Sequence, residues 1–146
     1  LLPLRARAAG HVTAMGVTCI DYRLTDDATR FFDHQKLTND YDQLSLAGAS
    51  LAAVSPKFPS ANAAFWDQLA IAKTLHNVSK LIVVDHRDCG AYKVAFGDKF
   101  AAARDAETAQ HKNVMLQVKD LLAKKQPDIA GEFYLMALDG TTERVV

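Results

Sequence analysis

Residues 80–90 read KLIVVDHRDCG, and the reading of this stretch decides the fold. Lys80 to Asp85 is an uninterrupted apolar run of strand length between polar residues. That is the pattern of a central strand in a parallel sheet, where both faces are covered. His11 to Ile20, HVTAMGVTCI, is a second such stretch, mostly apolar and rich in β-branched residues, and it too reads as a strand buried on both faces. Each run gives way to polar residues: CIDYR (19–23) closes the first, and DHRDCG (85–90) closes the second. In open parallel sheets, ligands bind beyond the carboxyl ends of the strands, where neighbouring strands send their connections in opposite directions. The two motifs are therefore expected to meet.

Outward from these strands the signals alternate. Thr25 before Asp26 and Asp27 predicts a helix start, with a hydroxyl cap and two carboxylates at the positive end of the helix dipole, leading into a helix that carries Phe31 and Phe32. Tyr41 to Ala47 reads as a weaker strand, Gly48 as a turn, and the small residues after it permit close backbone approach. Pro56 and Pro59 make residues 55–60 a loop. Phe65, Leu69, Ala72 and Leu75 recur at helical spacing in a segment that ends near Asn77. A long helix is expected from about Phe100 to Lys125, with Val114, Val118 and Leu121 on one face and Pro127 stopping it. Glu132 to Leu138, EFYLMAL, reads as a further strand. The recurring order of strand and helix predicts an α/β fold of three layers, a central, mostly parallel sheet of four to five strands flanked by helices. The length predicts one domain over residues 1–146.

The composition narrows the function classes. With 49% hydrophobic and 23% charged residues the chain matches a folded globular protein rather than a disordered or fibrous one. Lys plus Arg equals Asp plus Glu at 17 each, and no basic cluster is laced with aromatics, so no nucleic-acid partner is expected. No apolar run approaches the roughly 20 residues that span a bilayer, so no membrane helix is expected either. The expected partner is a small molecule. Two cysteines are too few for a disulfide-stapled scaffold. The chain starts at Leu1 rather than Met, which leaves a processed amino terminus open. The cytoplasm is the expected compartment, with periplasm or secretion as alternatives.

Cys19, His86 and Cys89 supply two sulfurs and one imidazole, the ligand types zinc prefers, and a tetrahedral ion would keep a fourth position open, as catalytic sites require. Against this stand two structural readings. Free cysteines are commonly buried core residues, with His86 then a satisfied polar side chain; alternatively, Cys19 and Cys89 form a disulfide. His11, His34, His76 and His111 have no partner at ligand spacing and read as surface or satisfied histidines. Glu107 and His111, four apart, are expected to pair on a helix face. Asp88 and Lys93, near the metal motif, are candidates to line the entrance, but solvent-exposed charges are the expected reading.

Cys19-Ile20-Asp21-Tyr22-Arg23 and His86-Arg87-Asp88-Cys89-Gly90 resemble the two zinc motifs of the β-class carbonic anhydrases, and Ala47-Gly48 is similar to that family's small glycine-containing turn. The resemblance implies a parallel α/β sheet and a homodimer or higher homo-oligomer. It also implies zinc on Cys19, His86 and Cys89, with Asp21 and Arg23 as the catalytic ion pair beside the metal. Asp21 would be a fourth ligand in a closed state, and Gly48 and Gly90 would stand at the pocket, Gly90 letting the backbone approach closely. The implied activity is reversible hydration of CO2 to bicarbonate by a zinc-bound hydroxide. Tyr22 stands where the family commonly has serine, and Ser45-Leu46 where it usually has arginine and another polar residue. Hydrolysis of carbonyl sulfide or carbon disulfide on the same scaffold, and a non-catalytic zinc module, are the alternatives.

Overall fold

The structure is a computed structural model describing residues 10–146; residues 1–9 of the expected domain lie outside the described residues. Five strands form one sheet in the order β2-β1-β3-β4-β5. They are β1 (Ala14–Thr18), β2 (Tyr41–Ser45), β3 (Lys80–His86), β4 (Ala130–Met136) and β5 (Thr142–Arg144). The first four run parallel, β1 aligning Ala14 with Tyr41 of β2 and with Lys80 of β3, while β5 turns back antiparallel on β4.

Alternation along the buried strands sorts their side chains to two faces. Met15, Val17, Leu81, Val83, Phe133 and Leu135 face one side. There they meet Phe65, Leu69 and Ala72 of α2 (Pro59–His76) and Met115, Val118 and Leu122 of α4 (Arg104–Lys125). Ala14, Ile82, Val84 and Met136 face the other side, under Phe31 and Phe32 of α1 (Thr25–His34). The three expected layers are therefore present, each sealed by side chains worth about 1.5–3 kcal/mol apiece on burial.

Several local expectations change in the structure. The first strand is shorter than residues 11–20, because Asp40 takes both Thr13 N and Thr13 Oγ1 at its start. Thr25 does not cap α1. A 3-10 turn, Tyr22–Leu24, runs straight into that helix, so the capping side chain moves upstream to Asp21, which accepts from Arg23 N at 3.0 Å. Pro59 belongs to α2 rather than to the loop, since the first helical position needs no N–H donor. Leu75 is 61% exposed, and on α4 it is Leu122, not Leu121, that completes the buried stripe. That helix starts at Arg104, after a separate 3-10 turn over Asp98–Ala101. The short helix α3 (Gly90–Phe96) and strand β5 carry no signal in the sequence reading. Among the described residues no helix is long and apolar enough to cross a membrane.

Candidate metal centre

β1 sends its connection toward β2 and its neighbour β3 sends its own toward β4, so their carboxyl ends form the switch point of the sheet. Cys19 follows the last residue of β1, His86 is the last residue of β3, and Cys89 is the residue from which α3 starts. The donor atoms of Cys19, His86 and Cys89 all lie within 4.8 Å of one another, a group able to hold a metal ion. The two sulfurs are 4.0 Å apart and both cysteines are free, which sets the disulfide reading aside. Two sulfurs on one tetrahedral ion at about 2.3 Å would stand about 3.8 Å apart, so the spacing fits.

The histidine supplies an independent test of fit. His86 Nδ1 lies 2.7 Å from the carbonyl oxygen of Arg87, so it carries the proton and donates. The lone pair is thereby left on Nε2. That atom is buried and has no hydrogen-bond partner. A buried polar atom without a partner is costly, and a cation among these donors would satisfy it.

Charge is arranged in keeping with this. The hydrogen bond from Cys89 lowers the Cys19 thiol to about 4, with burial opposing and His86 and the Gly48 N–H assisting. The same contact, with burial, pushes Cys89 upward. For His86, burial pulls the imidazole down, but the Cys19 thiolate and Asp21 outweigh it and raise it overall. Gly48 N donates to Cys19 Sγ at 3.3 Å.

Asp21 sits beside the triad, its Oδ2 3.6 Å from His86 Nε2. Arg23 grips it through Nε at 3.0 Å and Nη2 at 2.8 Å, a bidentate pair that lowers its carboxyl to about 2. The remaining guanidinium nitrogen reaches Asp88 Oδ2 at 3.1 Å, and Asp88 also meets Lys93. Asp88 and Lys93 are thus linked partners at the rim, not free charges in solvent. A small cavity of about 10 Å³ lies against the triad, and among the residues lining it are Cys19, Asp21, His86, Leu24, Val84 and Met136.

The two glycines differ. Gly48 has φ +85°, and a Cβ there would stand 2.9 Å from Leu51 Cβ, so the turn requires glycine. At Gly90 an added Cβ meets nothing within 4 Å. Tyr22 is 86% exposed. Glu107 and His111 do not pair with each other. Glu107 binds Arg87 and Asp88 N, and His111 binds Asp85. The sequence signal for these contacts is slight: charged residues at the end of an apolar strand, and two polar residues in line with the buried stripe of α4.

Fold and site together define an α/β protein of the β-carbonic anhydrase architecture with a Cys-His-Cys group at its switch point. Residues 9–130 match the model of the family described as "Putative carbonic anhydrase", and the chain belongs to that family. Two relatives, uncharacterized proteins of Rickettsia conorii and Rickettsia bellii, are each 33% identical over 129 residues. The match covers 88% of this chain, 69% of the first relative and 79% of the second. The fold is similar to that of the β-carbonic anhydrase CcaA, at TM-score 0.57 and 14% identity over 92% of this chain and 74% of that one. It is likewise similar to a chain of the tetrameric β-carbonic anhydrases of Sordaria macrospora, at TM-score 0.55 and 13% identity over 93% and 81%. A third such structure is the β-carbonic anhydrase CafA of Aspergillus fumigatus, at TM-score 0.52 and 14% identity over 92% and 76%. With identities this low, the chain is a divergent member of the fold.

Proposed function

We propose that residues 1–146 form one zinc domain, working in a homo-oligomer, that hydrates CO2 reversibly to bicarbonate. The observation that carries this reading is the buried, unpartnered Nε2 of His86 among two free cysteine sulfurs, beside a carboxylate held ionised by an arginine. Cys19, Cys89 and His86 Nε2 would hold the ion. Zinc, when bound, supplies the Lewis acidity that makes a water nucleophilic near neutral pH.

The rest falls to side chains of this chain. Asp21 would accept a hydrogen bond from the reacting water and so aim that water's lone pair at the substrate carbon. Arg23 keeps that carboxylate ionised and engaged, so that a fourth position on a bound ion would be free for the reacting water; release of Asp21 by Arg23 would let it compete for that position. Leu24, Val84 and Met136 give the small cavity an apolar wall suited to CO2, which carries no charge or dipole. Ile20 and Tyr22, exposed at 64% and 86% on either side of Asp21, support coverage by a second subunit.

The test is metal analysis together with stopped-flow CO2 hydration on the purified chain. One zinc per chain and hydration that disappears in Cys89→Ser are expected. Faster turnover of carbonyl sulfide than of CO2 would shift the reading to the hydrolase. A metal with four protein ligands at every pH, and no turnover of either gas, would replace it with the non-catalytic module.

A further inference from the structure

The buried stripe of α4 is apolar where it faces the sheet, through Val114, Met115, Val118 and Leu122. It changes character toward the helix start, where Glu107 and His111 are 5% and 0% exposed. Burying polar side chains costs free energy that apolar ones at the same positions would not. These two lie opposite residues 85–88, the segment that contains His86 and leads to Cys89.

Each contact has a defined target. His111 Nδ1 donates to Asp85 Oδ2 at 2.8 Å, the carboxylate fixing which nitrogen carries the proton. Its Nε2 is buried without a partner and its ring lies against Tyr92, so among the described residues the Asp85 bond is what holds this side chain by hydrogen bonding. Asp85 also accepts from Ser50 N at 2.9 Å, Ser50 Oγ at 2.6 Å and Tyr92 OH at 2.7 Å. Ser50 belongs to the 3-10 turn that starts from Gly48, and Gly48 N donates to Cys19. One turn of α4 earlier, Glu107 Oε2 takes Arg87 Nη1 at 3.1 Å and Oε1 takes Asp88 N at 2.6 Å. Asp88 has φ +55°, a left-handed conformation that a non-glycine residue holds only against strain, and the Glu107 bond acts on that residue's own N–H.

We infer that Glu107 and His111 are positioning residues, which clamp Asp85, Arg87 and Asp88 from successive turns of α4 and so aim the donor atoms of His86 and Cys89 at one metal ion. The inference rests on the proposed metal reading of Cys19, His86 and Cys89. Neither residue touches the ion, and both act through the backbone that carries its ligands.

The experiment is titration of the full reduced chain with Zn2+ and with Co2+ against a competing chelator, with the cobalt visible spectrum as a report on ligand geometry. Glu107→Ala and His111→Phe are expected to weaken binding by about 10- to 100-fold and to shift the cobalt bands. His111→Asn, which can still donate to Asp85, should recover most of the affinity, and Glu107→Gln, which keeps an acceptor for Asp88 N, should fall between. Val118→Ala, a core truncation lower on the same helix, should lose stability yet bind metal as the parent does. Parent-like affinity and spectrum in Glu107→Ala and His111→Phe would overturn the inference, as would equal weakening in Val118→Ala. If Glu107→Ala does not fold, the contrast between His111→Phe and His111→Asn decides. An unaltered chain that takes up neither metal would instead remove the metal reading itself.

Discussion

On its outward side the metal centre is bordered by Asp21, Arg23, Asp88 and Lys93, a chain of ion pairs at the rim; on its inward side it is backed by Asp85, Ser50, Tyr92 and His111, sealed from solvent. The Asp88 pairs with Arg23 and Lys93 can trade partners with water at little cost, because exposed pairs are worth about 1 kcal/mol or less. The inner groups cannot, since each lost partner leaves a buried polar atom bare. The outer chain is thus suited to movement during turnover and the inner network to holding still.

Truncating one acidic residue on each side breaks the comparison most directly. Asp85→Ala strips four donor contacts of their acceptor, and a loss of about 3 kcal/mol or more is expected in urea unfolding. Asp88→Ala, which removes the rim pairs, puts alanine at a φ of +55° and leaves the backbone N–H on Glu107, should cost about 1–2 kcal/mol. Equal losses would mean that burial does not separate the two regions.

Next in size is a change that should strike activity more than stability. Arg23→Ala frees the Asp21 carboxylate from its bidentate hold, and kcat/KM for hydration is expected to fall about 100-fold, the scale of a catalytic group displaced by about 1 Å. Metal content should stay at the parent level. Full activity in this variant would show that the pair is a surface ornament.

The two sides should also fail at opposite ends of the pH scale. Asp21 is lowered to about 2, first by its hydrogen bond from Arg23. Its contribution to stability is therefore complete above the unfolded carboxyl value of about 4 and is lost as pH falls toward 2. Tyr92 is raised well above the ordinary phenol, first by burial and then by the Asp85 charge. Its contribution is complete below about 10 and is lost as pH rises beyond it, because the unfolded chain then releases a proton that the folded one keeps. Unfolding midpoints across pH should show both limbs, with Asp21→Asn flattening the acid one and Tyr92→Phe the alkaline one.

How much of this is legible in sequence depends on what sets each feature. β3 is legible because burial on both faces demands an unbroken apolar run, and Leu81 to Val84 supplies it. β5 is not, because Thr142, Glu143 and Arg144 are exposed edge residues whose strand state comes only from pairing with β4. Cys19, His86 and Cys89 stand out through residue type at strand ends, and the structure brings their donor atoms together. Asp85, Glu107 and His111 stay hidden for the opposite reason: charged residues are ordinarily read as solvated, and only the tertiary fold places partners around them. Thr25 carried a valid cap signal, but an upstream turn already supplied the helix start.

The smallest expected effect compares the two glycines that border the ligands. Gly48→Ala must either relax a φ of +85° or press its new methyl against Leu51 and Ala91, and both responses move the N–H that faces Cys19. A loss of about 1–3 kcal/mol with weakened metal binding is expected. Gly90 opens α3 with no neighbour for a Cβ to strike. Alanine there removes freedom from the unfolded chain without adding a clash, so Gly90→Ala should stabilise the protein by about 0.4–1 kcal/mol and leave metal affinity unchanged. The measurement is thermal unfolding of both variants beside a cobalt titration. If Gly90→Ala destabilises the protein or shifts the cobalt bands, the open space beside it is filled in solution, and a neighbouring subunit packed over α3 becomes the natural source.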